Sequence, residues 1–435
     1  MRRLLVLGAG TAGTMVVNKL RPLLAEHAWQ ITIVDPSEEH HYQPGYLFVP
    51  FGWYRPEEIV KPRRRLITRG VEQVTGEVDR VDTEAGLVHL ADGRELAYDQ
   101  LVIATGTHPC PEETPGLAES EARERGVHSF YTLEDAVALR DAMTRFDGGR
   151  LVVNLIDLPI KCPVAPLEFA FLAEAWLTER GIRDRTEVIY VTPLDGAFTK
   201  PLAARELGGM FEERGIDLET DFLLEQVDLE DQSLVSYDER VVPFDLLVTV
   251  PINRGAAFVG RSGLGDELDH VRVDKHTFLA DGLDNVFALG DAANLPTSKA
   301  GSVAHFAIDV FVENFLRHID GLDMPARFDG HANCFIESGY GKAMLLDFNY
   351  DTEPLTGSFP FPELGPLKLL AENEANHWGK LAFRWIYWHV LLPGRPLPLH
   401  ADMSMVGKHR ESLPDADAGV DPEPARTSPL MEVTM

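Results

Sequence analysis

Cysteine is scarce in this chain, with three in 435 residues: Cys110, Cys162 and Cys334. So few exclude a secreted-type disulfide framework, and any disulfide is expected to be chemical rather than architectural. Cationic residues fall well short of acidic ones, 40 Lys and Arg against 69 Asp and Glu, for a formal charge of -29. That balance argues against nucleic acid as a partner, because phosphate binding needs a net cationic surface. Long apolar runs are missing too. The longest late one, residues 381–393, is broken by Arg384 and falls short of the roughly 20 residues that span a bilayer. No transmembrane helix is expected. No signal peptide is expected either, since Arg2-Arg3 leads at once into Leu4-Leu5-Val6-Leu7. The adjacent His40-His41 pair shares no face, so no metal site is expected.

What is present begins with a β-α-β unit. Residues 4–7 read as a buried strand, Gly8-Ala9-Gly10-Thr11-Ala12-Gly13 as a turn, 14–24 as a helix, and 30–34 as a second strand ending in Asp35. Gly8 permits the tight turn, Gly10 lets backbone approach a pyrophosphate, Gly13 lets helix and strand pack closely, and Asp35 is placed for ribose hydroxyls. Two later strands end in related signatures. Residues 98–103 close on Ala104-Thr105-Gly106, and 285–289 close on Gly290-Asp291. Both resemble signatures of FAD-dependent disulfide-reductase-like flavoproteins, which makes FAD the ligand of the first domain. Val78 joins these as an expected cofactor contact.

A second α/β unit is inserted at about residues 113–243. Its first strand, residues 151–156, leads to Lys161-Cys162-Pro163-Val164-Ala165-Pro166-Leu167-Glu168 and then to a helix. A glycine-rich loop would hold NAD(P)H at this strand-to-helix turn. Prolines offer no N–H to a phosphate, and Cys162 supplies a nucleophilic or redox sulfur instead. The expected domains are therefore 1–112 with 244–329 for FAD, 113–243 as the second unit, 330–410 as a third region, and 411–435 as a disordered acidic tail.

These motifs resemble the sulfide:quinone oxidoreductases, with the flavin subunit of flavocytochrome c sulfide dehydrogenase as a cousin. The resemblance rests on the three FAD motifs, on Cys162-Pro-x-Ala-Pro-x-Glu168, on Ser298-Lys299-Ala300-Gly301, and on Cys334 within Asn333-Cys334-Phe335-Ile336-Glu337. It implies an α/β fold with two Rossmann-like domains of the glutathione-reductase type, the second a vestigial NAD domain, and a C-terminal membrane-association region. It also implies a centre in which hydrosulfide attacks a Cys162–Cys334 disulfide or bridging polysulfide and electrons go on to FAD and quinone. Lys161 is adjacent and would lower a thiol pKa from about 8.5. Glu168 would shuttle protons. Some members attach flavin through a further cysteine, but the matching stretch here is Ser129-Phe130-Tyr131-Thr132, so FAD is expected to be noncovalent. Cys110 does not match.

The acceptor end is expected within residues 376–400. Trp378, Trp385 and Trp388 occur there with Phe383, Tyr387, Leu391 and Leu392, and with Lys380, Arg384 and Arg395. Such an aromatic, basic segment suits interfacial membrane binding. By resemblance, Lys299 and Lys380 lie near the flavin and Phe383 contacts the quinone. A peripheral protein on the cytoplasmic face of the plasma membrane, a homo-oligomer, is expected. Other readings stay open: a cytochrome-linked sulfide dehydrogenase flavoprotein, a type II NADH:quinone oxidoreductase, or a non-catalytic flavin redox sensor.

Overall fold

Three five-stranded sheets organise the chain, and the computed structural model describes residues 1–397 and 401–411. The disordered-tail expectation falls, but for Glu411, outside the described residues. The first sheet is parallel, in the order Val286–Ala288, Gln100–Ile103, Arg2–Leu7, Trp29–Asp35, Val71–Thr75. Its inner strands are largely apolar because both faces are covered. The chain starts in the middle of this sheet, so the glycine turn after Leu7 opens at the carboxyl edge of a central strand, where open α/β sheets bind ligands.

The second sheet is also parallel, in the order Val127–His128, Leu246–Val250, Gly149–Leu155, Thr186–Val191, Ile216–Glu219. This corrects the expected boundary. Residues 244–248 were assigned to the return into the first domain, yet Leu246–Val250 pairs along Gly149–Leu155 in the second sheet. A buried parallel strand has the same apolar pattern in either sheet, so the sequence alone does not say which one claims it. The crossover lies just outside, where His108–Pro109 pairs antiparallel with Asn253–Arg254.

The third sheet is mixed, in the order Ala332–Gly339, Lys342–Phe348, Gly365–Leu369, Thr356–Phe361, Lys408–His409. It packs against the helix Ala165–Glu179, which also lies on the second sheet. Covered on both sides, that helix is apolar nearly all round, and Glu168 and Glu174 are buried on it. The helix Glu374–Ile386 crosses the third sheet. Asn376 fixes its start, its amide donating to the carbonyls of Lys368 (2.8 Å), Ala343 (3.0 Å) and Ala371 (3.2 Å). Gly379 allows the close approach, since a Cβ there would stand 3.0 Å from the Phe335 ring. Among the described residues no helix is long and apolar enough to cross a membrane.

Candidate active site

The glycine turn builds one wall of a cleft with about 200 Å³ of interior space. Gly8 has φ +94°, and a Cβ there would meet the Ala104 carbonyl oxygen at 2.5 Å. Gly10 faces open space and lines the cleft. The helix Thr11–Leu20 starts without a side-chain cap or a first-turn acid, leaving its N–H groups for an anion. Thr105 and Thr107 line the same wall with buried hydroxyls that have no partner in the protein. An uncapped helix start, a bare glycine and orphaned hydroxyls fit a dinucleotide.

Ala104, Gly106, Gly290, Asp291 and Lys299 also border the cleft. Asp291 caps no long helix, since the next one begins at Gly301 with Ala300 before it. Burial raises the Asp291 carboxyl, against the opposing charges of Lys299 and Lys161. Lys299 is buried, its ammonium donating to the carbonyls of Asp291 (2.8 Å) and Ala293 (3.1 Å). Asp35 and Val78 lie away from the cleft lining. The Asp35 carboxylate accepts the N–H of Ala9 at 2.7 Å and meets Arg63 at 3.3 Å, holding the turn from behind. Val78 opens an edge strand against Leu90 and packs on the first sheet's core. Arg63 is itself buried, and Lys61 sits over the Trp388 ring at 4.2 Å.

The opposite wall carries Lys161, Cys162, Ala165 and Glu168. Cys162 has φ +53°, a left-handed conformation that costs a non-glycine residue about 1–2 kcal/mol. Its N–H donates to the Lys299 carbonyl (2.6 Å), its own carbonyl accepts the Ala165 N–H (2.9 Å), and Tyr131 donates its hydroxyl to that carbonyl (3.4 Å). With two N–H groups engaged and two replaced by Pro163 and Pro166, this helix start is poorly equipped to hold a phosphate.

Cys334 lies on the strand Ala332–Gly339, buried, and both cysteines are free thiols. Burial raises Cys334 and Cys162 as a thiolate raises it further, so the two sulfurs feel each other's charge. Burial pushes the Cys162 thiol up to about 12, with Glu168 adding and Lys380 opposing. This corrects the expected role of Lys161. The cation acting on the thiol is Lys380, which reaches it from the helix Glu374–Ile386, whereas Lys161 faces Asp291 and is itself lowered by burial to about 8. The third cysteine, Cys110, is buried in the interdomain turn, where desolvation raises it to about 11.

Glu168, buried, and Lys380, partly buried, form an ion pair. Lys380 donates to Glu168 Oε1 at 2.5 Å and to the Phe335 carbonyl at 2.9 Å, and Glu168 Oε1 also accepts the Glu337 N–H at 2.8 Å. Glu168 Oε2 has no partner in the protein. Burial raises the Glu168 carboxyl. The same burial presses Lys380 down, but Glu168, Cys162 and Glu337 outweigh it and Lys380 stays charged. Next in line, His377 Nδ1 lies 3.0 Å from both oxygens of Glu337.

Phe383 and Tyr387 line the far end of the cleft. The phenol of Tyr387 meets His40 Nε2 at 2.7 Å and Thr11 Oγ1 at 2.8 Å, and His40 Nδ1 meets the Ala9 carbonyl at 3.0 Å. Burial lowers His40 to about 4, so its ring is neutral. Nδ1–H then donates to Ala9, Nε2 accepts from Tyr387, and Thr11 donates to the phenol. Sequence reasoning gave no role to this link, to Tyr131, or to the pair Glu337 and His377. The expected membrane segment divides: Trp378 and Trp385 are 66% and 63% exposed, whereas Tyr387 and Trp388 are 1% and 6% exposed. Lys380 is partly buried, its side chain 12% exposed, and Arg384 lies over the Tyr54 ring at 4.2 Å.

Comparisons with known proteins agree with this geometry. Residues 2–154 match the family model described as pyridine nucleotide-disulphide oxidoreductase. The mitochondrial sulfide:quinone oxidoreductase of Dictyostelium discoideum is 28% identical over 408 residues, covering 90% of this chain and 86% of that protein. That of Mus musculus is 27% identical over 397 residues, with the same coverage of 90% and 86%. The crystal structure of the sulfide:quinone oxidoreductase from Aquifex aeolicus superposes with a TM-score of 0.76 at 21% identity, over 91% of this chain and 92% of that one, and so shares the fold. The chain is thus similar over most of its length to sulfide:quinone oxidoreductases, and its first 154 residues carry the pyridine nucleotide-disulphide oxidoreductase pattern.

Proposed function

We propose that this protein oxidises hydrosulfide to sulfane sulfur or polysulfide and passes the electrons to a quinone, with Cys162 and Cys334 as the sulfur-handling pair. The observation that carries this reading is that Cys162, Glu168 and Lys380 line one cleft, with Lys380 bonded to Glu168 and to the carbonyl of Phe335, the residue next to Cys334. FAD, the cofactor of this family, supplies two-electron redox chemistry when bound there. Asp35 and Val78 are assigned to its adenosine end, and Ser129-Phe130-Tyr131-Thr132 offers no sulfur to attach it covalently.

A thiol raised to about 12 is protonated at neutral pH and a poor nucleophile or leaving group until a base takes its proton. Glu168 is that base, with one oxygen free of partners, and Lys380 stabilises the thiolate that results. The left-handed Cys162 backbone, held by Tyr131 and Lys299, fixes where the sulfur stands. Phe383, with Lys380, borders the acceptor position. Trp378, Trp385 and the hairpin-tip residues Phe361 and Leu364, 61% and 87% exposed, form the face assigned to a membrane surface. Peripheral attachment, the cytoplasmic face and a homo-oligomer belong to the same proposal.

Purified protein supplied with a short-chain quinone tests it. Sulfide is expected to reduce the quinone and NADH to leave it oxidised; turnover with NADH and none with sulfide overturns the reading.

A further inference from the structure

Oxidising hydrosulfide with a quinone leaves a proton requirement. The balance is HS⁻ + Q + H⁺ → S⁰ + QH₂: the sulfur gives up two electrons and its own proton, the quinone gains both electrons and two protons, and the second proton must come from solvent. Both ends of this exchange lie in the cleft, whose sulfur-side wall carries the buried Glu168. On the reading proposed above, some group must connect that cleft to water.

From Glu168, which lines the cleft, a line of side chains runs outward. Lys380 donates to Glu168 at 2.5 Å, the main-chain N–H of Glu337 donates to the same Glu168 oxygen at 2.8 Å and so sets Glu337 beside the pair, and the Glu337 carboxylate meets His377 at 3.0 Å. Glu337 is fully buried, and His377 is 9% exposed. The His377 ring meets the edges of Trp53 (6.0 Å) and Trp378 (5.3 Å), which are 41% and 66% exposed. The line thus ends at the protein surface. We infer that Glu168, Lys380, Glu337 and His377 form a relay that carries protons between solvent and the cleft, with one net proton entering per turnover.

The groups facing this relay come from four elements. Glu337 is approached by Lys380 and His377 from the helix Glu374–Ile386 and by Glu168 from the helix Ala165–Glu179. Tyr54 approaches from the loop before residue 56, with Arg384 and Glu58 beyond it. A buried carboxylate pair with one lysine between its members has one proton's worth of freedom, which is what a relay requires. Burial raises Glu337 to about 7, with His377 opposing, so it exchanges protons in the neutral range.

The test uses the holoenzyme in detergent with sulfide and a water-soluble quinone. His377→Ala is expected to lower turnover about tenfold or more at unchanged flavin content, with recovery on adding imidazole. Glu337→Gln is expected to lose the neutral-pH limb of the turnover profile. Infrared difference spectra, which need no turnover, are expected to show a carboxylic-acid band that titrates near pH 7 and vanishes in Glu337→Gln. Wild-type turnover with an unaltered His377→Ala, or a loss that imidazole does not restore, overturns the relay alone. Failure of the wild type to reduce quinone with sulfide overturns the functional reading and the relay with it.

Discussion

Glu337 shows how a single residue's setting can be measured. Its carboxyl rises from an ordinary 4.5 to about 7, chiefly through burial, so the folded protein holds that proton more tightly than the unfolded chain does. This term favours folding below pH 4.5 and is lost as pH rises through 7. Glu337→Gln removes the titration, so its Tm relative to wild type is expected to rise between pH 5 and pH 8. The gain is on the order of 3 kcal/mol at most, or a few degrees, measured by differential scanning calorimetry; a Tm difference independent of pH contradicts the assignment. The glycines and the Cys162 turn were legible because their spacing encodes a local turn. Glu337 was not, because both faces of its strand are covered and the alternation that marks an outward residue is lost. Nor was the Lys380 contact with Glu168, 212 positions away in the chain.

An element can mislead where its phase shifts. Residues 376–400 read as one aromatic and basic face, but the α-helix ends at Ile386 and a π-turn covers Tyr387–Leu391. The wider turn changes the phase, so Tyr387, Trp388 and Leu391 face the core while Trp378 and Trp385, seven residues apart, stay outward. The surface available to a bilayer is therefore narrower than the sequence suggested. Each exposed indole that enters the acyl boundary contributes about 1.5–3 kcal/mol. The double change Trp378→Ser with Trp385→Ser is expected to weaken liposome co-sedimentation by at least about tenfold without altering flavin content. Binding at wild-type strength removes this face from the account. Trp388→Ser, by contrast, acts on the core beneath Lys61.

Across the whole molecule, the three motifs of the first domain were legible because each ends a strand of one sheet. The second domain's limit was not, since Leu246–Val250 fits either sheet by composition and only its pairing decides. The third sheet gave no strong pattern of its own, yet it supplies Cys334 and supports the helix that brings in Lys380. The proposed sulfur centre exists only where the inserted domain, the third sheet and that helix meet, so no single stretch of sequence contains it. Its most direct test is anaerobic stopped-flow mixing with sulfide, following flavin absorbance in the wild type, Cys162→Ser and Cys334→Ser. The account expects rapid bleaching in the wild type and a loss of at least about a hundredfold in rate in each variant, with dithionite still reducing all three. Bleaching at the wild-type rate in either serine variant contradicts it.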